Sequence, residues 1–141
     1  MDSLITKAEK GFLTLKVSEI YTKNSLGFLE SWLTKDEYKD YSSQIEHLIS
    51  NKYWDYLLDS FYQIIPFGTG GRRGEVGVGP NRINPWTIKA SAQGHSQYLL
   101  KKYRDGAKSR GVIFAYDVRE FLGNKYLNDK ESSRIARLSI Q

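Results

Sequence analysis

The segment 66–84 is the part of the sequence whose residue types are best suited to chemistry. It contains six glycines and three arginines within nineteen residues. Glycine lets backbone N–H groups come close to a ligand, because it has no side chain that keeps the ligand away. The guanidinium group of arginine matches the oxygens of a phosphate or a carboxylate. The segment therefore predicts an anion-binding loop, and phosphate is the ligand that this combination suits best.

Two nucleotide-binding patterns with a similar composition are not met. After Gly68 and Gly70 the dinucleotide-binding pattern needs a third glycine at position 73, where this chain has Arg73. The P-loop needs Gly-Lys-Ser or Gly-Lys-Thr, which the segment lacks. What remains is a general phosphate cradle, and a glycine-rich turn with solvated arginines stays open as the alternative.

The positive charge of the chain is concentrated in its second part. Residues 1–65 contain seven lysines, no arginine and ten acidic residues, which gives a charge of −3. Residues 66–141 contain six lysines, eight arginines and six acidic residues, which gives +8 and a formal net charge of +5 overall. This distribution indicates an anion-facing second half. A change of composition between a helical arm and a domain explains it equally well.

Other side chains offer little chemistry. His47 and His95 lie far apart in helical patterns and are interpreted as structural, and no histidine–carboxylate cluster has the spacing of a metal site. Ser132 and Ser133 have no accompanying histidine and are typical of a helix start rather than of a nucleophile. The chain contains no cysteine, which excludes disulfides and thiolate metal sites.

Helices are predicted before the glycine-rich segment. Residues 1–31 show weak helical periodicity, with turns expected at Gly11 and Gly27. Thr34 and Glu37 have the spacing of a capping box that begins an amphipathic helix. Asn51 is predicted to cap the next helix. The side chains that share the inner faces of these two helices are predicted to form the core: Tyr38, Tyr41, Ile45, Leu48, Ile49, Trp54, Leu57, Leu58 and Phe61.

Strands and a further helix are predicted after it. Residues 75–78 have the pattern of a short strand weakened by glycine, and Asn84 followed by Pro85 begins a helix. Residues 111–116 form an apolar run that indicates a strand covered on both faces of a sheet. One stripe of the intervening helix is predicted to be buried: Ile88, Ala92, His95, Leu99 and Tyr103.

Polar side chains and a last helix follow the second predicted strand. Asp117 and Arg119 come directly after residues 111–116, at the edge of a sheet where α/β proteins bind ligands. They are therefore candidates either for a salt bridge with each other or for contact with a ligand. A helix is predicted over residues 131–140.

Four blocks occur in order along the second part of the chain. They are Phe67-Gly-Thr-Gly-Gly-Arg-Arg-Gly74, Gly79-Pro-Asn-Arg-Ile-Asn84, Ala92-Gln-Gly94 and Tyr116-Asp-Val-Arg119. Their order and spacing resemble the first domain of the phosphoglucomutase/phosphomannomutase family, the α-D-phosphohexomutases. The usual family sequence Phe-Gly-Thr-Ala-Gly-Leu-Arg-Gly differs here at Gly70 and Arg72. The helices before the blocks resemble the arm of the phosphoglucomutase-type members.

The resemblance implies an α/β fold and an enzymatic activity. We expect a helical N-terminal arm over residues 1–65 and, over residues 66–141, the first part of an incomplete three-layer α/β/α domain with a small mixed sheet, truncated before the phosphoserine loop. The implied enzyme interconverts hexose 1-phosphate and hexose 6-phosphate through a phosphoserine, with Mg²⁺ and hexose 1,6-bisphosphate as cofactors. The sequence has no apolar run of transmembrane length and no signal-peptide pattern, so we expect a cytoplasmic location.

The resemblance also implies roles for individual residues. It places Arg73 towards the active centre, where its charge would stabilise phosphoryl oxygens and orient the phosphoserine loop. Thr69 and Gly70 would shape the same loop and complete the phosphate-binding residues. Asp117 and Arg119 would support the catalytic loop.

The sequence lacks the family's other signatures. The phosphoserine motif Thr-Ala-Ser-His-Asn-Pro and the metal-binding motif Asp-Gly-Asp-Gly-Asp-Arg do not occur, so we expect no catalytic residue, no metal ligand and no turnover from this chain alone. The expected partners are a phosphosugar, the remaining domains of the same enzyme and further copies of the chain, with no nucleic acid and no membrane. Two alternatives stay open: a basic nucleic-acid-binding module and an adaptor that binds a phosphorylated partner.

Overall fold

The described part of the chain is built mainly from helices. The computed structural model describes residues 2–113 and 125–128. Within these residues the elements are α1 (Asp2–Phe12), α2 (Glu19–Thr34), a 3₁₀ helix (Asp36–Tyr41), α3 (Ser42–Ser50), α4 (Trp54–Phe61), α5 (Pro85–Tyr103) and α6 (Asp105–Arg110). None of the described helices has the length and hydropathy that crossing a membrane requires.

Trp32 on α2 lies at the centre of the helical core. Its side chain is 1% exposed, and its ring stacks on Tyr38 with 4.5 Å between the centroids. The edges of Phe61 and Trp86 complete the aromatic cluster around it. Such pairs add to the free energy gained from burying apolar area. The core predicted from the sequence is confirmed, except that Trp54 is only half-buried, and it also includes Ala8, Phe12, Leu29, Tyr56 and Val78.

Two predicted helix starts in this core are wrong. Thr34 is the last residue of α2 rather than a cap, because its hydroxyl donates a hydrogen bond to Glu30 O (2.8 Å). Asn51 lies at the end of α3, where its side-chain amide donates to His47 O (2.8 Å). Both side chains therefore bond to the preceding helix. A polar residue between two helices can serve either one, and the spacing alone does not distinguish them.

Gly11 does not form the predicted turn. It lies inside α1 and is buried against the indole ring of Trp54, so closely that a Cβ atom at this position would collide with the ring. Glycine is needed here because it lets the backbone of α1 approach the side chain at the start of α4. Gly27 likewise lies inside α2.

The predicted sheet is not found in residues 2–113 or 125–128. Residues 75–78 form no strand there, and the segment contributes a single parallel bridge between Val76 and Ile83. The predicted strand 111–116 lies partly outside the described residues, and its first three residues are exposed without forming a strand. The predicted helix 131–140 lies wholly outside them. The structure thus supports the helical part of the α/β expectation, and the mixed sheet and the boundary after residue 65 stay predictions.

The helix α5 begins as predicted but is largely exposed. The Asn84 side chain accepts a hydrogen bond from Thr87 N (3.0 Å), and Pro85 occupies the first turn. In the described part of the chain the predicted stripe is not buried, since Ile88 is 57% exposed and Leu99 is only half-buried. Three of the six residues of the predicted strand 111–116, which follows this helix in sequence, lie outside the described ranges.

Candidate functional site

The glycine-rich loop leaves the helical core after α4 and returns to the same place. Ile65 N donates a hydrogen bond to Pro80 O (2.8 Å), and Ile83 N donates to Glu75 O (2.8 Å). Val78 is fully buried in the helical core. Residues 66–74 therefore form a loop whose two ends are hydrogen-bonded to the same segment, residues 79–84. This loop contains the residues that the sequence predicts to bind phosphate.

A tight turn forms the tip of the loop 66–74. Gly68 N donates to Gly71 O (2.9 Å), and Gly71 has a φ of +141°, which side-chain-bearing residues rarely adopt. Thr69 and Gly70 lie between them and are exposed. Their backbone N–H groups form no hydrogen bond with the described residues. The exposed turn therefore has two backbone donors that no described residue uses, as a phosphate cradle requires.

The two adjacent arginines have different surroundings. Arg72 is half-buried and its Nη1 donates to Thr87 O on α5 (3.4 Å), while its Nε is buried and has no partner among the described residues. Arg73 is exposed, and its side chain forms no hydrogen bond or ion pair with residues 2–113 or 125–128. The structure therefore holds Arg72 against the helix and leaves Arg73 available to a ligand.

Two neighbouring grooves lie between the loop and α5, beside Arg72. Their volumes are about 380 and 600 Å³, and both are lined by Phe67, Arg72, Ile88 and Ser91. Thr69, Gly70 and Arg73 line neither of them. The predicted phosphate-binding residues thus form an exposed loop surface rather than the wall of a groove.

The other predicted site residues contribute nothing further to this loop. Asp117 and Arg119 lie outside the described residues. His95 is exposed on α5, and His47 is half-buried beside Asn51 at the end of α3. In the part of the chain that the structure describes, no three side chains of His, Cys, Asp or Glu lie close enough together to hold a metal ion. These residues do not fit a Mg²⁺ site, and none is assigned to one.

The interpretation of the sequence missed the role of Arg82. Among the described residues that are buried, Arg82 is the one with a charge, at 4% exposure, and its Nη2 lies 2.6 Å from Asp59 Oδ2 on α4. Burial lowers its pKa, but contact with Tyr56 and Asp59 raises it by more, so the net shift is upward. Its neighbours in sequence give no sign of burial. The one signal was its place in the block Gly79-Pro-Asn-Arg-Ile-Asn84.

Curated relatives of the chain are sugar-phosphate enzymes. It is 35% identical over 88 residues to a phosphopentomutase of Mus musculus, which covers 62% of this chain and 14% of the relative. It is 33% identical over 108 residues to a glucose 1,6-bisphosphate synthase of Homo sapiens, which covers 77% of this chain and 17% of the relative. A phosphoglucomutase of Staphylococcus haemolyticus is 30% identical over 90 residues, or 64% of this chain and 15% of the relative.

The relatives are much longer than this chain, which matches less than a fifth of each of them. No family model matches the sequence, and no solved structure matches it significantly. The three names agree with the family that the four sequence blocks resemble. The chain is therefore a phosphohexomutase-family sequence that corresponds to a short part of its longer relatives.

Proposed function

We propose that the chain supplies a phosphate-binding loop of a sugar-phosphate mutase, with Arg73 as its principal cationic group. In such an enzyme a phosphoserine gives its phosphoryl group to a sugar monophosphate, and the bisphosphate that results returns its other phosphoryl group to the serine. The nucleophile does not lie in this sequence. The names of the relatives include hexose and pentose enzymes, so the proposal covers sugar phosphates as a class and hexose phosphates as its first test.

This proposal is supported most directly by the exposed guanidinium of Arg73 and the exposed N–H groups of Thr69 and Gly70, none of which has a partner among the described residues. Phosphoryl transfer places negative charge on three oxygens, and donors fixed before the reaction stabilise that charge. Arg73 would bind these oxygens, and the turn would supply neutral donors. Asp117 and Arg119 would support the catalytic loop of the same enzyme, and the resemblance alone carries their role.

The proposal also includes the context that the family implies. Mg²⁺ and hexose 1,6-bisphosphate would act in the whole enzyme, which would be cytoplasmic. The chain alone would have no turnover, because it lacks the phosphoserine motif. Self-association would follow from the exposed apolar side chains on α5, among them Ile88, Tyr98 and Leu100. Sedimentation at several protein concentrations tests it, and a monomer at every concentration would exclude it.

Titration of the ¹⁵N-labelled chain with glucose 1,6-bisphosphate tests the proposal. We expect shifts of the amide signals in residues 68–74 and a dissociation constant that rises about tenfold or more in Arg73→Ala, since a charge-assisted hydrogen bond is lost. Arg110→Ala, which removes another exposed arginine, is the matched control and should bind as the wild type does. Equal affinity of the wild type and Arg73→Ala would refute the role of Arg73.

The same titration separates the two alternatives. A nucleic-acid-binding module should bind a generic oligonucleotide more tightly than the bisphosphate, with an affinity that falls steeply as salt rises. An adaptor should prefer a phosphopeptide to the phosphosugar. A mutase assay on the chain provides a further check, because measurable turnover would contradict the absence of the nucleophile.

A further inference from the structure

Arg82 contacts three parts of the structure, two through its guanidinium group and one through its backbone carbonyl oxygen. Its Nη2 lies 2.6 Å from Asp59 Oδ2 at the end of α4. Its carbonyl oxygen accepts a hydrogen bond from Thr87 Oγ1 in the first turn of α5 (2.9 Å). Its Nε lies 3.9 Å from Oε2 of Glu75, the residue at which the loop 66–74 returns to the core. One buried residue thus links the end of one helix, the start of another and the exit of the loop.

The surroundings of Arg82 hold its guanidinium in one place. The guanidinium carbon lies 4.5 Å from the centroid of the Tyr56 ring, a distance typical of cation–π contact. Nη1 also donates to Asn81 O (3.2 Å). A buried charge is retained in a fold only where partners compensate for the water it has lost. The contacts to Tyr56 and Asp59 provide that compensation.

The backbone around Arg82 is bonded to α4 as well. Asn81 N donates to Ser60 O (3.1 Å), and the Asn81 side chain donates to Asp59 O (2.8 Å). These bonds satisfy carbonyl groups at the C-terminal end of α4, which have no partner within the helix. The side-chain ion pair and the backbone bonds therefore fasten the same short segment to the same helix end.

The residues just after the loop 66–74 form hydrogen bonds with Ile83, which follows Arg82 in the sequence. Ile83 N donates to Glu75 O (2.8 Å), and Gly77 N donates to Ile83 O (3.1 Å). Arg73 lies two residues before Glu75. The residues that follow Arg73 in the loop are thus bonded to Ile83, which is next in sequence to the ion-paired Arg82.

We propose that Arg82 is a positioning residue that fixes Arg73 for phosphate binding by clamping the segment 79–84 between the ends of α4 and α5. The binding part of this inference rests on the proposed function. The positioning part concerns the loop alone and can be measured without a ligand. Asp59 is the partner through which Arg82 acts, and the Glu75 carboxylate lies 3.9 Å from Arg82 Nε without a hydrogen bond between them.

Hydrogen exchange on Arg82→Lys in the full chain tests the positioning part. Lysine keeps the charge but lacks the planar fork that reaches two carboxylates. We expect the protection of the Gly77 and Ile83 amides to fall about tenfold, while that of core amides such as Leu48 and Leu57 falls less than twofold, because the opening is local. Equal loss at all four amides, or no loss at Gly77 and Ile83, would overturn the proposal. Arg110→Lys is the matched control.

Titration with glucose 1,6-bisphosphate tests the binding part. The dissociation constant of Arg82→Lys should rise about tenfold, although Arg73 is intact. An unchanged affinity, with the Gly77 and Ile83 amides less protected, would show that Arg82 shapes the loop without positioning Arg73, and this overturns the proposal. If the wild type and Arg73→Ala bind equally, the proposed function fails, and the exchange data still decide whether Arg82 positions the loop.

Asp59→Asn provides a second variant if Arg82→Lys does not fold. It removes the negative charge of the partner and leaves Arg82 in the sequence. The same selective loss of protection at Gly77 and Ile83 supports the proposal, and full retention of protection at both amides opposes it.

Discussion

Asn84 and Thr87 cap each other at the start of α5. The Asn84 side chain accepts a hydrogen bond from Thr87 N, and Asn84 N in turn donates a hydrogen bond to Thr87 Oγ1 (3.0 Å). The Asn84 amide also donates to Gly77 O (2.9 Å) and Gly79 O (2.8 Å). One buried side chain therefore begins the helix and holds the segment that returns from the glycine-rich loop.

Asn84→Ala should lower the free energy of unfolding by about 2 kcal/mol or more, because it removes a helix cap and the side-chain donor to the buried Gly77 O. Chemical denaturation of the wild type and the variant measures the difference. Thr34→Ala is the control, since among the described residues that exposed hydroxyl bonds within α2 alone, and it should change the value by less than about 0.5 kcal/mol. A variant as stable as the wild type would contradict the role of Asn84.

The cap at Asn84 could be predicted from the sequence, whereas those at Thr34 and Asn51 could not. Asn84 is followed by Pro85, which fits the first turn of a helix but not its interior or last turn, so the Asn84 side chain was expected to bond forward. Thr34 and Asn51 stand between two helices, and tertiary packing decided that each bonds backward. The burial of Arg82 depends on Asp59, twenty-three residues earlier, and no local pattern reveals such a pairing.

Gly79 and Gly70 should respond in opposite ways to replacement by alanine. Gly79 has a φ of +110°, and a Cβ atom there would collide with Ser60 O. Gly79→Ala should therefore lower the free energy of unfolding by about 2 kcal/mol or more. A Cβ atom at Gly70 meets nothing within 4 Å, and Gly70 has no positive φ of the kind that excludes side chains. Gly70→Ala should be neutral or stabilise by up to about 1 kcal/mol.

Thermal melts of both glycine variants measure this contrast. The alanine at position 70 is also the residue that the family sequence usually has there. Equal destabilisation by the two substitutions would mean that the turn at Thr69 and Gly70 is more constrained than its geometry indicates.

The stability of the helical core should fall at high pH through Tyr38. Burial, and then the neighbouring Glu37 carboxylate, raise the pKa of Tyr38 from 10.0 to about 12. Because the folded state holds this proton more tightly than the unfolded state, its contribution is fully present below pH 10. It is lost as the pH rises from about 10 towards 12.

Denaturation of the wild type and Tyr38→Phe between pH 7 and pH 12 tests this sign. The wild type should lose stability above pH 10, and Tyr38→Phe should lose less. Tyr98→Phe, which changes an exposed ring on α5, should keep the profile of the wild type. A Tyr38→Phe profile as steep as that of the wild type would assign the loss to other groups.

Arg72 and Arg73 allow the anion-binding hypothesis to be tested within one pair of neighbours. Arg72 is held by Thr87 O and lines the grooves beside Phe67 and Ile88, while Arg73 is exposed without a partner in the described residues. Arg72→Leu restores the residue usual in the family and places an apolar side chain against apolar neighbours. It should keep the affinity for glucose 1,6-bisphosphate within about twofold, whereas Arg73→Leu should lower it about tenfold or more.

Calorimetric titration of both variants at low and physiological salt measures this difference. The two substitutions remove the same charge from adjacent positions, so a general loss of positive potential would weaken both variants alike and would weaken them less as salt rises. A loss confined to Arg73→Leu at both salt concentrations requires direct contact between that side chain and the phosphate. A loss confined to Arg72→Leu would move the binding site into the grooves along α5, because Arg72 lines them and Arg73 does not.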